Sequence, residues 1–255
     1  MAFDLNSITI GRSLEAPRIE LYGPHGVGKN TWAAGAPNPV FIRTEDGMGL
    51  LKSARFPIAT SVAHIHEAIS HLYHDDHDFQ TVVLDSADWL ESIIAAEVIA
   101  AHEPKELAYG KDAIFIADQW RVILEGFDAL RSTKNMIVII LAHAEVKRFD
   151  PPDGDSYDRY QPKLSKYSNA VVQEWADLVL FANWKTYVKK EVVANAGTKN
   201  PTTKSKALDT IDEPVLYTGK RPAHLAKNRF NLPPELPLYW ADFDAAMKQA
   251  QLTAS

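Results

Sequence analysis

The sequence predicts an α/β fold with a mainly parallel central sheet. Short β-branched runs alternate with longer segments in which apolar residues recur at helical spacing, a pattern typical of parallel sheets flanked by helices. The chain has 255 residues, 46% of them hydrophobic and 24% charged, which is enough to bury a large core. No internal repeat interrupts the alternation, so we expect one core with appendages.

Five runs are predicted strands, each apolar enough to be covered on both faces. They are residues 18–22, 40–44, 81–85, 136–142 and 178–182. The patterns between them predict helices at residues 29–35, 64–74, 87–102 and 113–132. In the last of these helices the large apolar side chains repeat at helical spacing: Trp120, Ile123, Leu124, Phe127 and Leu130.

The C-terminal third has a different texture. Residues 185–193 and 214–218 read as extended and the intervening residues 195–205 are rich in Gly, Asn, Thr and Lys, which predicts a hairpin with a mobile tip. Three prolines within residues 231–237 exclude a helix there, and residues 240–251 read as a terminal helix. We therefore expect an N-terminal segment (1–17), a core (18–184), a basic hairpin that completes the core (185–230) and a Pro-rich turn with a helix (231–255).

The composition and charge of the chain limit which environments and which kinds of site are possible. No run approaches the roughly 18 apolar residues that a membrane span needs, and the first residues lack a signal-peptide pattern, so we expect a cytoplasmic protein without membrane association. The absence of cysteine excludes disulfides, thiolate metal sites and cysteine nucleophiles. The net charge is −6, yet residues 185–229 carry +6 and the remainder −12. That basic segment fits either a footprint for phosphate or a solvated loop.

A glycine-rich loop between the first strand and the first helix has the spacing of a phosphate-binding P-loop. Its backbone N–H groups can surround a β-phosphate, while Lys29 neutralises the β and γ oxygens. The alternative is an ordinary glycine-rich turn. The predicted nucleotide-binding residues are Gly23, Pro24, His25, Gly26, Val27, Gly28, Lys29, Asn30 and Thr31.

The expected magnesium ligand is altered in this loop. The motif has Ser or Thr after the lysine, whereas this chain has Asn30, with Thr31 one place late. Because an amide is longer than a hydroxyl, we expect weakened Mg²⁺ binding and slow hydrolysis without loss of nucleotide. The apolar run 81–85 ends in Asp85 and resembles a Walker B strand, so Asp85 and Asn30 are the candidate Mg²⁺ residues.

The base that activates water is not at its most common place. In many P-loop ATPases a glutamate follows the Walker B aspartate, but Ser86 stands there. Glu45 ends the second predicted strand, at the carboxyl edge where ligands bind parallel sheets, and is the candidate base. The alternative for Glu45-Asp46-Gly47 is a plain acidic turn.

The order of these features resembles the RecA family of recombinases, and in particular phage-encoded minimal RecA-like ATPases of single-strand DNA recombination. The resemblance covers residues 18–234 and includes Thr44-Glu45-Asp46-Gly47, Asp85-Ser86 and Ala226-Lys227-Asn228-Arg229. It implies a RecA-like P-loop core that uses ATP and Mg²⁺, with Glu45 activating water and His143 sensing the γ-phosphate. It also implies that Lys227 and Arg229 reach a neighbour's nucleotide in a ring or filament, in the host cytoplasm if the protein is phage-encoded.

By the same resemblance, residues 145–167 are a loop that binds single-stranded DNA. This stretch mixes cations with aromatic rings, as single-strand binders do, although four aspartates dilute it. The alternative is a surface loop whose aromatic residues pack inward. The candidate DNA-binding residues are Lys147, Arg148, Tyr157, Arg159, Tyr160, Lys163 and Lys166, and a single-strand DNA-binding protein is a further candidate partner.

Three functions remain open from the sequence. The first is an ATP-dependent recombination enzyme, and the second a nucleotide-gated DNA-binding module that hardly hydrolyses ATP because of Asn30. The third, a small-molecule P-loop kinase, ranks last because such enzymes need an arginine-rich lid, for which this chain offers only Arg148 and Arg159. The histidines of residues 64–77 lack the His-Glu-x-x-His spacing, since Ser70 occupies the second position, and therefore predict a polar helix end and no metalloprotease site.

Overall fold

The computed structural model describes residues 15–47, 49–185, 188–194, 202–207 and 213–252. These residues form twelve strands and six α-helices, with a short 3-10 helix before α4. In chain order they are β1 (Arg18–Gly23), α1 (Lys29–Ala34), β2 (Pro39–Arg43), β3 (Ala54–Ile58), α2 (Val62–His74), β4 (Thr81–Asp85), α3 (Ala87–Ala101), α4 (Lys111–Lys134), β5 (Ile137–Phe149), β6 (Tyr157–Pro162), α5 (Lys166–Trp175), β7 (Leu178–Trp184), β8 (Val188–Ala194), β9 (Thr202–Ala207), β10 (Pro214–Tyr217), β11 (Lys227–Asn228), β12 (Glu235–Pro237) and α6 (Trp240–Leu252).

The predicted α/β class is confirmed. The main sheet has the order β12-β10-β7-β1-β5-β4-β2-β3, in which the six strands from β7 to β3 are parallel to one another. All five predicted strands and all five predicted helices are present, with bounds that differ by a few residues, apart from the extension of β5. No helix in the described part of the chain is long and apolar enough to span a bilayer.

Two apolar layers cover the sheet, as parallel strands require. On one face, α2 to α5 pack their apolar side chains, among them Ile65, Trp120 and Phe127, against even-numbered β1 and β5 residues such as Tyr22 and Ile140. On the other face, Trp32 of α1 and Phe243 of α6 pack together with their rings 5.2 Å apart. The core therefore holds the strand ends rigidly from both sides.

The long strand β5 differs from its prediction. It continues through His143 to Phe149 and then pairs with β6 in an antiparallel hairpin, where the sequence predicted a loop over residues 145–167. The prediction was wrong because charged and aromatic residues in this stretch hid the two-residue alternation. The helix α5 was also missed, although Ser165 caps it by accepting a hydrogen bond from the backbone N–H of Ser168.

The C-terminal strand pairing was also mispredicted. β8 pairs with β9, which lies partly in the predicted tip, and the two form a separate two-stranded sheet. β10 instead pairs antiparallel with β7, so this part of the basic segment extends the main sheet. Residues 195–201, the rest of the predicted tip, and residues 1–14 lie outside the described residues.

Candidate nucleotide-binding site

The P-loop follows β1 at the carboxyl edge of the sheet. Gly23 is required there because a Cβ at this position would lie 2.3 Å from the carbonyl oxygen of Ala182 on β7. Gly28 caps α1 with φ +107°, a left-handed conformation that a side chain would strain. The two motif glycines thus allow the turn that points backbone N–H groups into the loop.

Lys29 is buried and folds back over the loop. Its ammonium donates hydrogen bonds to the carbonyl oxygens of Gly23 (2.9 Å) and Pro24 (3.0 Å). Burial lowers its pKa, which the neighbouring carboxylates of Asp85, Asp88 and Glu45 partly offset. A cation that is held only by neutral carbonyls is well suited to exchange them for phosphate oxygens.

Asn30 contacts the predicted Walker B residue directly. Its Nδ2 donates a 2.8 Å hydrogen bond to Oδ2 of Asp85, while Thr31 is exposed on the neighbouring side of α1. Burial and the nearby Glu45 carboxylate raise the pKa of Asp85 to about 6, and the Asn30 hydrogen bond opposes that rise. The amide therefore bridges α1 and β4 and leaves its own oxygen as the group that could face a metal.

Glu45 is held in place by the end of β4. Thr44 donates from Oγ1 to the carbonyl oxygen of Ser86 and accepts from its N–H, each at 2.9 Å, which ties the end of β2 to the end of β4. The Ser86 hydroxyl then donates to Oε1 of Glu45 at 2.8 Å. Glu45 is thus part of an ordered arrangement in which one of its oxygens already accepts a hydrogen bond.

His143 lies opposite Glu45. It is the register partner of Gly23 in the β1–β5 ladder, and its Nε2 lies 4.0 Å from Oε1 of Glu45. Its Nδ1 lies 2.9 Å from Oδ2 of Asp88, which also accepts the His143 backbone N–H through Oδ1 at 3.0 Å. Burial raises the pKa of Asp88, but these His143 hydrogen bonds outweigh it and hold that pKa below its ordinary value. An ionised Asp88 fixes the proton on Nδ1 and turns Nε2 toward Glu45.

Sequence reasoning missed the roles of Ser86 and Asp88. Ser86 was noted only as a missing glutamate, whereas it orients the glutamate of another strand. Asp88 lies in the first turn of α3, and an aspartate one turn from a strand-end carboxylate was the available signal. His25 of the P-loop also stacks on His143 with ring centroids 3.9 Å apart, and the His143 charge lowers the pKa of His25.

The residues at this edge fit Mg²⁺ only together with a nucleotide. Within the described ranges, no group of three or more His, Asp or Glu side chains could enclose a cation, which applies to the histidines of α2 as well. Mg²⁺ in nucleotide sites takes one or two protein ligands, with phosphate oxygens and water supplying the others. Asp85 and the amide oxygen of Asn30 are the residues that would hold it.

The hairpin divides the predicted DNA-binding residues between two faces, because side chains alternate along paired strands. One face carries Lys147, Tyr157 and Arg159 around Phe149: the Arg159 guanidinium lies 3.8 Å from the Phe149 ring centroid and Tyr157 lies 5.5 Å from it. The other face carries Arg148 and Tyr160.

Tyr160 is turned toward the core. Its ring stacks on Phe181 of β7 at 5.1 Å, so for this residue the inward-packing alternative fits the structure. The cations Lys147, Arg148, Lys163 and Lys166 are exposed. Lys147 pairs with Glu145 at 2.8 Å and Arg148 with Asp150 at 3.3 Å. The structure therefore provides exposed cations beside one partly exposed aromatic cluster.

Lys227 and Arg229 lie at the amino edge of the sheet, away from the P-loop of their own chain. The Lys227 ammonium donates to three carbonyls at the end of α5, those of Gln173 (2.8 Å), Glu174 (3.0 Å) and Ala176 (2.5 Å). Arg229 pairs with Asp177 at 2.9 Å, and half of its side chain is exposed. A nucleotide that met these residues would have to belong to another subunit.

Comparison with known proteins places the chain in a family. None of the curated proteins matches the sequence. Among solved structures, the RadB recombinase is similar with a TM-score of 0.45 and 15% identity, over 80% of this chain and 81% of that chain. The model of the AAA domain family AAA_24 matches residues 15–230, a range that includes every site residue described above. The chain therefore belongs to this AAA domain family.

Proposed function

We propose that the protein is an ATP-binding recombination protein that acts on single-stranded DNA and hydrolyses ATP slowly. The observation that carries this proposal is the position of Glu45, which accepts from Ser86 at 2.8 Å and lies 4.0 Å from His143 at the edge that holds Lys29. A carboxylate fixed in this way beside a phosphate-binding loop has the chemistry of a base that orients and deprotonates water.

Each residue then has a distinct role. The P-loop and Lys29 bind the β and γ phosphates, and bound Mg²⁺ would neutralise charge that develops on them. Glu45 activates water, while Ser86 keeps its carboxylate from rotating away. His143, whose tautomer Asp88 fixes, donates or withholds a hydrogen bond according to whether a γ-phosphate is present.

The second candidate is a nucleotide-gated DNA-binding module with little hydrolysis. It is favoured by the 2.8 Å hydrogen bond between Asn30 and Asp85, because this bond occupies an oxygen of the Walker B carboxylate. Both candidates bind ATP, so only turnover separates them.

The test compares wild type with Glu45→Gln, which keeps the shape of the side chain and removes the base. We expect unchanged ATP affinity by calorimetry. Steady-state turnover should fall at least about tenfold, which is less than the loss of a general base usually causes. Glu67→Gln, an exposed glutamate on α2, serves as the matched control. Equal turnover in Glu45→Gln and wild type would remove Glu45 from the mechanism.

Action on DNA rests on the exposed cations and the aromatic cluster of the hairpin. If Tyr157 stacks on a base, Tyr157→Ala should weaken binding of single strands roughly 5- to 150-fold, whereas Lys166→Ala should chiefly reduce the salt dependence. We further propose assembly into a ring or filament in which the partly exposed Arg229, with Lys227, meets the nucleotide of a neighbour.

Mixing subunits tests that assembly. Glu45→Gln subunits keep the basic element, and Lys227→Ala/Arg229→Ala subunits keep the base, so some mixed interfaces combine both. Partial recovery of turnover on mixing is the expected result. Co-assembled mixtures that stay inactive would contradict a shared site.

A further inference from the structure

A cleft of about 560 Å³ opens between α3 and the base of the hairpin, next to His143. It is lined by the stacked rings of His25 and His143, by Trp89 of α3, and by Lys147 and Lys163 at the two sides of the hairpin base. The volume is in the range of sites that bind small ligands. Trp89, Lys147 and Lys163, which also line it, have no role in the ATP hydrolysis proposed above.

Trp89 has an exposed ring on a backbone segment whose neighbouring residues are buried. Half of its surface is exposed, whereas Trp32 and Trp120 are buried and the other three tryptophans are at least partly buried. Its chain neighbours Asp88 and Leu90 are both buried, so its backbone is fixed while its ring faces the cleft. An indole held in this way is a stacking platform that loses little entropy when it binds.

The charges of the cleft favour a base inside it and a phosphate at its mouth. The acidic side chains that line the cleft have partners within the chain: Asp88 contacts His143, Glu145 contacts Lys147, and Oε2 of Glu91 accepts from the backbone N–H of Ser165, while Oε1 of Glu91 is buried without a hydrogen bond. These three carboxylates would repel a phosphate in the interior. Lys163 is exposed, and within the described residues its ammonium has no carboxylate partner, while its backbone N–H donates to His143.

We propose that this cleft is a nucleobase subsite, in which Trp89 stacks on one base of a bound single strand and Lys163 neutralises the adjacent phosphate. The inference rests on the proposed action on single-stranded DNA and names a residue and a place for it. A base in this cleft would lie directly against His143, so the strand would be bound beside the groups that contact the γ-phosphate.

The experiment measures binding of a labelled single-stranded thymidylate oligonucleotide at low salt with ATP present. Trp89→Ala should bind roughly 5- to 150-fold more weakly, and Trp89→Phe, which keeps a ring, should recover most of that loss. Tyr239→Ala serves as the matched control, since Tyr239 is 64% exposed and does not line the cleft. Binding should also quench tryptophan emission in wild type but not in Trp89→Phe, and Lys163→Ala should lower the salt slope by about 0.7.

The outcomes separate the inference from the function beneath it. A thermal melt of each variant confirms that it is folded before binding is measured. If wild type binds the oligonucleotide and the Trp89 variants bind with the same affinity and the same quenching, the cleft is not a base subsite, while the proposed function stands. If wild type does not bind at all, action on single strands is itself overturned.

Discussion

Two pairs of charged residues, one at each edge of the parallel sheet, differ in how far their partners compensate their burial. At the carboxyl edge, burial lowers the pKa of Lys29 and raises that of Asp85 to about 6, so the charged form of each is disfavoured. At the amino edge, burial also raises the pKa of Asp177, but hydrogen bonds from Arg18 hold it below its ordinary value. The pKa of Arg18 is raised by the same contacts, against the effect of its burial.

Because of this difference, we expect the pair at the amino edge to contribute to stability and the pair at the carboxyl edge to contribute to ligand binding. Asp177 accepts two hydrogen bonds from the Arg18 side chain, one from its backbone N–H and one from Arg229, and so joins the starts of β1 and β7 to the segment after β11. Lys29 and Asp85 have neutral partners instead, and their charges gain full compensation only from a ligand. Substitutions at the two edges should therefore affect different measurements.

The largest effect is expected for Lys29→Ala. Loss of two charge-assisted hydrogen bonds to phosphate should cost about 4 kcal/mol, a roughly thousandfold loss of ATP affinity. The melting temperature should not fall, because the removed charge is a poorly compensated one. Calorimetry and a thermal melt measure the two quantities, with the exposed Lys105→Ala as control. A variant that is folded and binds ATP normally would show that the loop does not hold phosphate.

Glu20 lies between the two edges, and its buried carboxyl group should make the free energy of unfolding depend on pH. It is fully buried on β1 without a hydrogen-bond partner for either oxygen, and burial raises its pKa from 4.5 to about 8, with Lys227 opposing. The neutral form therefore stabilises the fold fully below pH 4.5, and that stabilisation is lost as pH rises toward about 8, at about 1 kcal/mol per pH unit.

Glu20→Gln cannot ionise and should remove this pH dependence. Denaturant unfolding of the two proteins across this pH range should give a free energy of unfolding that falls more steeply with pH for wild type. Parallel curves would mean that Glu20 ionises without cost.

At the amino edge, Asp177→Asn should lower the free energy of unfolding by about 2 kcal/mol and leave ATP affinity unchanged, since it weakens a buried ion pair but keeps a hydrogen-bonding side chain. Asp128→Asn is the matched control. It also pairs with Arg18, at 3.2 Å, but its side chain is 40% exposed, so its loss should stay below about 0.5 kcal/mol. Equal losses for the two variants would contradict the special place of Asp177.

The smallest effect is expected for Asn30→Thr. A hydroxyl supplies a magnesium ligand and releases the Asp85 oxygen that Asn30 occupies, so turnover should rise several-fold and require less Mg²⁺. Steady-state ATPase rates over a Mg²⁺ series measure this. A rate and a Mg²⁺ dependence that both match wild type would show that Asn30 does not limit hydrolysis.

The sequence was sufficient for the P-loop, where contiguous residues carry the signal. The strand, glycines and lysine around Gly23 are contiguous, so the loop and its place in the fold could be predicted. The pairing of strands across the sheet could not be predicted in the same way. β10 pairs with β7, which is distant in the sequence, and a four-residue apolar run does not reveal which strand it joins.

The support of the site was hidden for the same reason. Ser86 orients Glu45 across 41 residues of chain, and Asp88 orients His143 across 55. Neither pair has a spacing that a sequence pattern could recognise. Tyr160 shows the converse limit, because the cations around it indicated a DNA contact but gave no sign that its ring packs on Phe181.

The continuity of β5 has a mechanical consequence. His143 and Lys147 lie on one uninterrupted strand, about 13 Å apart at the usual rise per residue. There is no loop between them that could absorb a displacement, and β5 stays hydrogen-bonded to a neighbouring strand along its length, first to β1 and β4 and then to β6. A tilt of the hairpin is therefore transmitted along β5 to the imidazole of His143 beside the P-loop.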